Sequence, residues 1–216
     1  FRGKKDIFLV IHIFSASAAV VELDRESVEY LEHNFPQLDG RIIGEDFLEL
    51  DLGSMFEGDF CVIGNYPYNI SSQIFFKVLD WRDRITCCSG MLQKEVAERI
   101  AAKPGSKTYG ILSVLLQAWY DIEYLFTVDE HVFNPPPKVK SGVIRLRRNG
   151  VKTLDCDEKR LKAVVKTSFG QRRKTLRNSL RSMARRPEVL QEEIFNKRPE
   201  QLSVAEFVRL TNLLNE

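Results

Sequence analysis

The stretch Phe60-Cys61-Val62-Ile63-Gly64-Asn65-Tyr66-Pro67-Tyr68-Asn69 decides how this chain folds. Its first half is a short apolar run with β-branched residues, the composition of a strand buried in a sheet. Its second half ends that run abruptly with glycine, asparagine and proline, and Ser71 to Leu79 then carries apolar residues at helical spacing. A buried strand that passes through a turn directly into a helix is half of a βαβ unit.

The same alternation extends in both directions. On the amino-terminal side Val20-Val21-Glu22-Leu23 predicts a strand, and Asp24 is placed to cap a helix running to about Phe35, with Val28 and Leu31 on its inner face. Pro36 stops that helix, and Arg41-Ile42-Ile43 predicts the next strand, leading into Glu45-Asp46-Phe47. On the carboxyl-terminal side Ile85 to Leu92 predicts a strand, Gln93 to Ala102 and Thr108 to Trp119 helices, and Ile122 to Val128 with Gly142 to Arg147 a late hairpin. Beyond Asn149-Gly150 only helical patterns remain. The expected organisation is an α/β domain over residues 1–148 and a small all-helical domain over 149–216.

Composition agrees with this. With 216 residues, 44% of them hydrophobic, the chain can bury a sizeable core. No window approaches the roughly 18 uninterrupted apolar residues of a membrane span, so no membrane partner is expected. Phe1 to Lys5 followed by Ile7 to Phe14 has the order of a secretory signal, but the apolar part is short and His12 interrupts it. Cys61, Cys87, Cys88 and Cys156 form no Cys-x-x-Cys pair and share no ligand spacing with His12, His33 or His131. The expectation is therefore no metal, and reduced thiols in a cytoplasmic protein.

The formal net charge of +2 hides two opposed blocks. From Val21 to Phe60 acids far outnumber the two arginines, Arg25 and Arg41, whereas Lys159 to Arg186 contains no Asp or Glu. An unrelieved basic block points to a phosphate-bearing partner. Lys174, Arg177, Arg181 and Arg185 recur at helical spacing opposite Leu176, Leu180 and Met183, which predicts one helix with a buried and a cationic face.

Ligands of such a sheet sit beyond the carboxyl ends of the strands, so the residues there form one group: Glu22, Asp46 and Asn65. A carboxylate such as Glu22 can accept two hydrogen bonds from a ribose diol, and Asp46 one from an adenine amine, with Phe47 beside it to pack on the base. Asn65-Tyr66-Pro67-Tyr68 suits methyl transfer to an exocyclic amine, whose lone pair is delocalised and poorly nucleophilic. The Asn65 oxygen and the Tyr66 carbonyl can accept the two N–H groups and localise that lone pair, Pro67 fixes the backbone, and Tyr68 can stack on the base. Phe133 and Pro135-Pro136-Pro137, just before Lys138, can wall the same pocket. Gly105-Ser106-Lys107-Thr108 is not a phosphate loop, because the required earlier glycine is Ile100; it reads as the entry to a helix.

These stretches, together with Leu92-Gln93-Lys94-Glu95-Val96, Gly105 to Gly110, Phe133 to Val139 and Gln171 to Asn178, resemble the KsgA-type 16S rRNA adenine dimethyltransferases from about Val20 to the carboxyl terminus. The resemblance implies a Rossmann-like sheet that uses S-adenosylmethionine, with a small helical carboxyl-terminal domain. It implies that Glu22 binds the cofactor ribose, with Leu23 alongside, that Asp46 and Phe47 take its adenine, and that Asn65 meets both the methyl donor and the target amine. It further implies a monomeric enzyme acting on two adjacent adenosines near the 3′ end of 16S rRNA in the immature small subunit. Lys138, Arg172, Arg173, Lys174, Arg177 and Arg181 would contact that RNA.

One departure is plain. Between Gly3 and Gly40 there is no glycine, so the glycine-rich loop that such enzymes carry after their first strand has no counterpart, and residues 1–19 match the family poorly. Either cofactor binding has been lost or the loop belongs to a longer protein of which this chain is part. Two other functions stay open: a non-catalytic small-subunit assembly factor on the same scaffold, and a methyltransferase of large-subunit rRNA.

Overall fold

A computed structural model describes residues 9–13 and 18–216. The described residues form a seven-stranded sheet, β1 (Leu9–Ile13), β2 (Ala18–Val21), β3 (Ile42–Ile43), β4 (Phe60–Asn65), β5 (Ile85–Gln93), β6 (Tyr120–Val128) and β7 (Ser141–Arg148), in the order β3-β2-β1-β4-β5-β7-β6. The order reverses between β1 and β4, which is where a sheet of this kind opens a crevice. The helices are α1 (Arg25–Asn34), α2 (Leu52–Met55), α3 (Ser71–Asp80), α4 (Lys94–Ala101), α5 (Ile111–Gln117), α6 (Glu158–Gly170), α7 (Leu176–Ser179) and α8 (Val204–Leu213).

Connection length sets the strand directions. β2 and β3 are parallel, as are β4 and β5, each pair joined through a helix. Only residues 14–17 separate β1 from β2, too few for the crossover of a dozen or more that a parallel return needs. β1 accordingly runs antiparallel to β2, with Leu9 opposite Val21, and antiparallel to β4, with Leu9 opposite Gly64. β2, β3, β4 and β5 thus share one direction, and it is the amino end of β1 that lies between their carboxyl ends. The signal-like reading of residues 1–14 falls largely outside the described residues; within it, residues 9–13 are strand β1.

The chain divides into two compact units, one holding the sheet through Glu98 with Asp121–Arg148, the other Arg99–Tyr120 with Asn149–Glu216. In the first, Phe60 and Val62 of β4 and Ile74, Phe75 and Val78 of α3 are all at most 1% exposed, each contributing about 1.5–3 kcal/mol by leaving water. Asp24 caps α1 as expected, its carboxylate accepting from the Ser27 N–H. Cys61 and Cys88 are buried and all four cysteines are free.

In the second unit α5, α6 and α8 bury Leu112, Val114, Leu116, Val164, Val165, Phe207 and Leu210, and Phe169 lies 6.0 Å from Phe207. The expected continuous helix over Lys174 to Arg185 does not form: α7 is a single turn, followed by short 3-10 turns at Arg181–Met183, Pro187–Gln191, Glu193–Asn196 and Pro199–Gln201. Pro187 has no N–H to donate to the Met183 carbonyl, as a helix continuing through it would require. Arg160 of α6 donates to that carbonyl instead, at 2.7 Å. Among the described residues no helix is long and apolar enough to cross a membrane.

Candidate active site

The turn after β4 is built from below. Tyr66 is 1% exposed, and its ring turns into the core, edge-on to Phe75 at 5.4 Å. Its hydroxyl donates to the Ser89 carbonyl at 2.9 Å and lies 3.1 Å from the Cys88 sulfur. Burial raises the Tyr66 phenol well above its ordinary range and pushes the Cys88 thiol up to about 12, so both are neutral. The Tyr66 N–H donates to the Met91 carbonyl at 2.8 Å, and Asn65 stands opposite Met91 in the β4–β5 ladder. The Tyr66 ring and hydroxyl are thus taken up by the core, and its N–H by the β5 backbone.

Two residues that sequence reasoning passed over make this possible. Gly90 lies directly beneath the Tyr66 ring: a Cβ there would stand 2.3 Å from the Gly64 carbonyl oxygen and 2.5 Å from the ring. A glycine inside a nine-residue strand was the available signal, since such a glycine marks a close approach by another group. Ser141, fully buried at the start of β7, has its hydroxyl 2.6 Å from that of Tyr68; no local pattern announces a partner 73 positions away. The backbone of the turn is closed by Ile70 N–H donating to the Pro67 carbonyl and Ser71 Oγ to that of Tyr68.

Glu22 follows β2, 3% exposed, one carboxylate oxygen accepting from the Asp24 N–H at 2.8 Å. Leu23 beside it is 65% exposed. Asp46 follows β3 and accepts from the Leu48 N–H at 2.9 Å. Because β2, β3 and β4 run in one direction, Glu22, Asp46 and Asn65 stand on the same edge of the sheet. The Phe47 ring, by contrast, is buried, with the Lys77 ammonium 5.2 Å from its centre, so its stacking surface is taken up by the core. Lys77, on α3, also donates to the carbonyls of Leu48, at 2.9 Å, and Leu50, pinning the segment after β3. Burial lowers the Lys77 pKa, an effect opposed by the nearby Glu49, Asp46 and Asp51.

Phe133 is half-buried in the connection between β6 and β7. Lys138 is exposed and lines a cavity of about 390 Å³ with Gln93, Lys94 and Lys140. In the second unit the basic residues separate into two kinds. Arg172 bonds the Ser106 carbonyl, pairs with Glu200 at 3.8 Å and lies over the Phe169 ring, and Arg177 bonds the Leu190 carbonyl. Arg173, Lys174 and Arg181 are exposed. The Gly105 to Thr108 segment is a loop preceding α5, its Gly105 N–H donating to the Glu200 carbonyl.

Strand order and the edge that gathers two acids and an asparagine define a Rossmann-like methyltransferase fold. Two solved structures share it: a dimethyladenosine transferase from Plasmodium falciparum, with a TM-score of 0.71, 21% identity and coverage of 88% of this chain and 78% of that one, and the 23S rRNA methyltransferase ErmE, with a TM-score of 0.61, 23% identity and coverage of 91% and 81%. More particularly, the chain belongs to the ribosomal RNA adenine dimethylase family, whose model matches residues 10–216. It is 71% identical over 194 residues to the ribosomal RNA small subunit methyltransferase A of Parabacteroides distasonis, covering 89% of this chain and 73% of that protein. It is 67% identical over 195 residues to the protein of the same name from Phocaeicola vulgatus, covering 89% and 70%. The assembly-factor and large-subunit readings are not favoured by these relatives.

Proposed function

We propose that this chain transfers methyl groups from S-adenosylmethionine to N6 of two adjacent adenosines near the 3′ end of 16S rRNA, in the immature small subunit and in the cytoplasm. The observation that carries this reading is the Asn65 to Tyr68 turn, whose main chain is held by the Met91 carbonyl and by the buried Tyr66 side chain.

When bound, S-adenosylmethionine supplies an electrophilic methyl group. The residues present fit the adenosine end of that cofactor: Glu22 is a buried carboxylate for a ribose diol, Asp46 is fixed by the Leu48 N–H, and Leu23 is an exposed apolar side chain for an adenine to cover. Asn65 accepts one N–H of the target amine and the Tyr66 carbonyl the other, so the nitrogen lone pair is localised, a contribution of position and electrostatics that needs no strong base. Tyr68, with Phe133 at the pocket wall, stacks on an adenine drawn out of its strand. Exposed Lys138, Arg173, Lys174 and Arg181 meet phosphates, which makes binding steeply salt-dependent. Arg172 and Arg177 serve chiefly to hold the helical unit together.

The test is Asn65→Ala, followed by transfer of labelled methyl groups to unmethylated small subunits. Removal of one well-placed acceptor lowers the rate by on the order of 10²–10³ while RNA binding persists. Unchanged transfer would overturn the mechanism.

A further inference from the structure

Tyr68 is the ring that the proposed mechanism lays against the target adenine, and a stacking ring works only if its plane is fixed before the base arrives. Its backbone is held locally, through the Ser71 hydroxyl on its carbonyl. Its tip is held from elsewhere in the chain, by the Ser141 hydroxyl at 2.6 Å, where either oxygen can donate. Ser141 is itself immobilised. It is fully buried, it stands opposite Gln93 in the β5–β7 ladder, the Lys140 carbonyl before it accepts from the Lys94 N–H at 3.0 Å, and Gly142 after it packs against Ala97 and Tyr124. Thus a hydroxyl that meets the tip of Tyr68 comes from the buried start of β7, directly after the segment containing Phe133 and Lys138.

We infer that Ser141 is a positioning residue for the methylation reaction: through its hydrogen bond to Tyr68 it sets the plane on which the target base stacks, without touching the base itself. This rests on the proposed stacking role of Tyr68. It also links the two walls of the base pocket, since any shift of the Phe133 to Lys138 segment that moves Ser141 moves the Tyr68 ring with it.

The experiment uses an RNA with 2-aminopurine at the target adenine, whose fluorescence is quenched on stacking, alongside methyl transfer to unmethylated small subunits. Ser141→Ala should bind the RNA with a Kd within about twofold of the parent, lose most of the quenching, and lower kcat by on the order of tenfold with KM nearly unchanged. Tyr68→Phe, which keeps the ring and deletes its hydroxyl, should reproduce both effects, and the double variant should be no worse than either single one, because all three remove the same bond. A melting temperature for each variant separates loss of fold from loss of alignment, and Tyr68→Phe carries the test if Ser141→Ala melts. Full quenching and normal kcat in both single variants, or a double variant equal to the product of the singles, overturns the role of Ser141. Tyr68→Ala distinguishes the deeper failure: if it too keeps the quenching, the stacking role of Tyr68 is wrong and the inference falls with it.

Discussion

The two halves of the candidate site are held in different ways. The target half, Asn65 to Tyr68, follows the end of β4 and rests on β5 and β7, whose ladders run for many residues, and each of its two tyrosines is anchored through its hydroxyl, Tyr66 to the Ser89 carbonyl and Tyr68 to the buried Ser141. The cofactor half, Glu22 with Asp46, stands on β2 and the two-residue β3, beside a β1 whose direction is antiparallel to both of its neighbours. Its segment after β3 is held by one lysine side chain from α3. The target half is preorganised by the sheet, while the cofactor half depends on a few side-chain contacts. A base must be held in one orientation against its own tendency to restack, whereas a cofactor bound through several separate groups can help to order the loops that receive it.

The largest predicted effect attacks the support of the target half. Gly90→Ala places a methyl group against backbone and an aromatic ring that have no room to give. It should cost roughly 3 kcal/mol or more of stability, measured by urea denaturation, and abolish methyl transfer. A cost below about 1 kcal/mol, typical of a tolerant site, would mean that the turn is not braced from beneath and would remove the contrast between the halves.

A smaller effect is expected in the cofactor half. Lys77→Met keeps most of the apolar stem but deletes the two bonds to the Leu48 and Leu50 carbonyls and the ammonium over Phe47. The Asp46 segment should loosen, weakening S-adenosylmethionine binding about tenfold, or roughly 1.4 kcal/mol, with 2-aminopurine quenching by bound RNA unchanged. Titration calorimetry gives the first quantity and fluorescence the second. Equal losses in both would show that α3 couples the halves instead of serving one.

Much of this was legible in the sequence because it depended on local chemistry. The break from Phe60–Ile63 into Gly64-Asn65-Tyr66-Pro67 set strand, turn and helix, and the Asp24 cap followed from its position before Val28 and Leu31. What escaped depended on partners far along the chain. The direction of β1 follows from the shortness of the 14–17 link, but which strands flank it is a property of the whole sheet. The run Lys174 to Arg185 has helical periodicity, yet the helix ends at Ser179 and gives way to 3-10 turns, and the Met183 carbonyl, to which Pro187 cannot donate, is met by Arg160 from another helix. Arg172 and Arg177 are as basic as Arg173 and Lys174, and only the folded unit separates those bonded to its own carbonyls from those left to solvent. Phe47 likewise carried an aromatic ring at the expected place, but the ammonium of Lys77 occupies its face.

The smallest effect probes the anchor on its own. Tyr66→Phe keeps the ring over Gly90 and against Phe75 and removes only the hydroxyl, leaving the Ser89 carbonyl without that donor. The expected cost at neutral pH is about 1 kcal/mol, with a modest fall in methyl transfer. The pH dependence has a definite sign. The folded Tyr66 phenol is raised above its ordinary value of 10.0, chiefly by burial, so the folded state keeps this proton at a pH where the unfolded chain releases it. That contribution is fully present below the unfolded value and is lost as pH rises toward the folded one. The parent should therefore lose stability more steeply than Tyr66→Phe above about pH 10, and the gap between them should shrink or reverse. Buried Cys88, pushed up to about 12 chiefly by burial, keeps that burial in the variant and loses only the opposing hydrogen bond from the Tyr66 hydroxyl, so its thiol stays raised in both proteins. Parallel stability curves through that range would mean that the hydroxyl already reaches water, and that the turn is held by the fit of the ring over Gly90 alone.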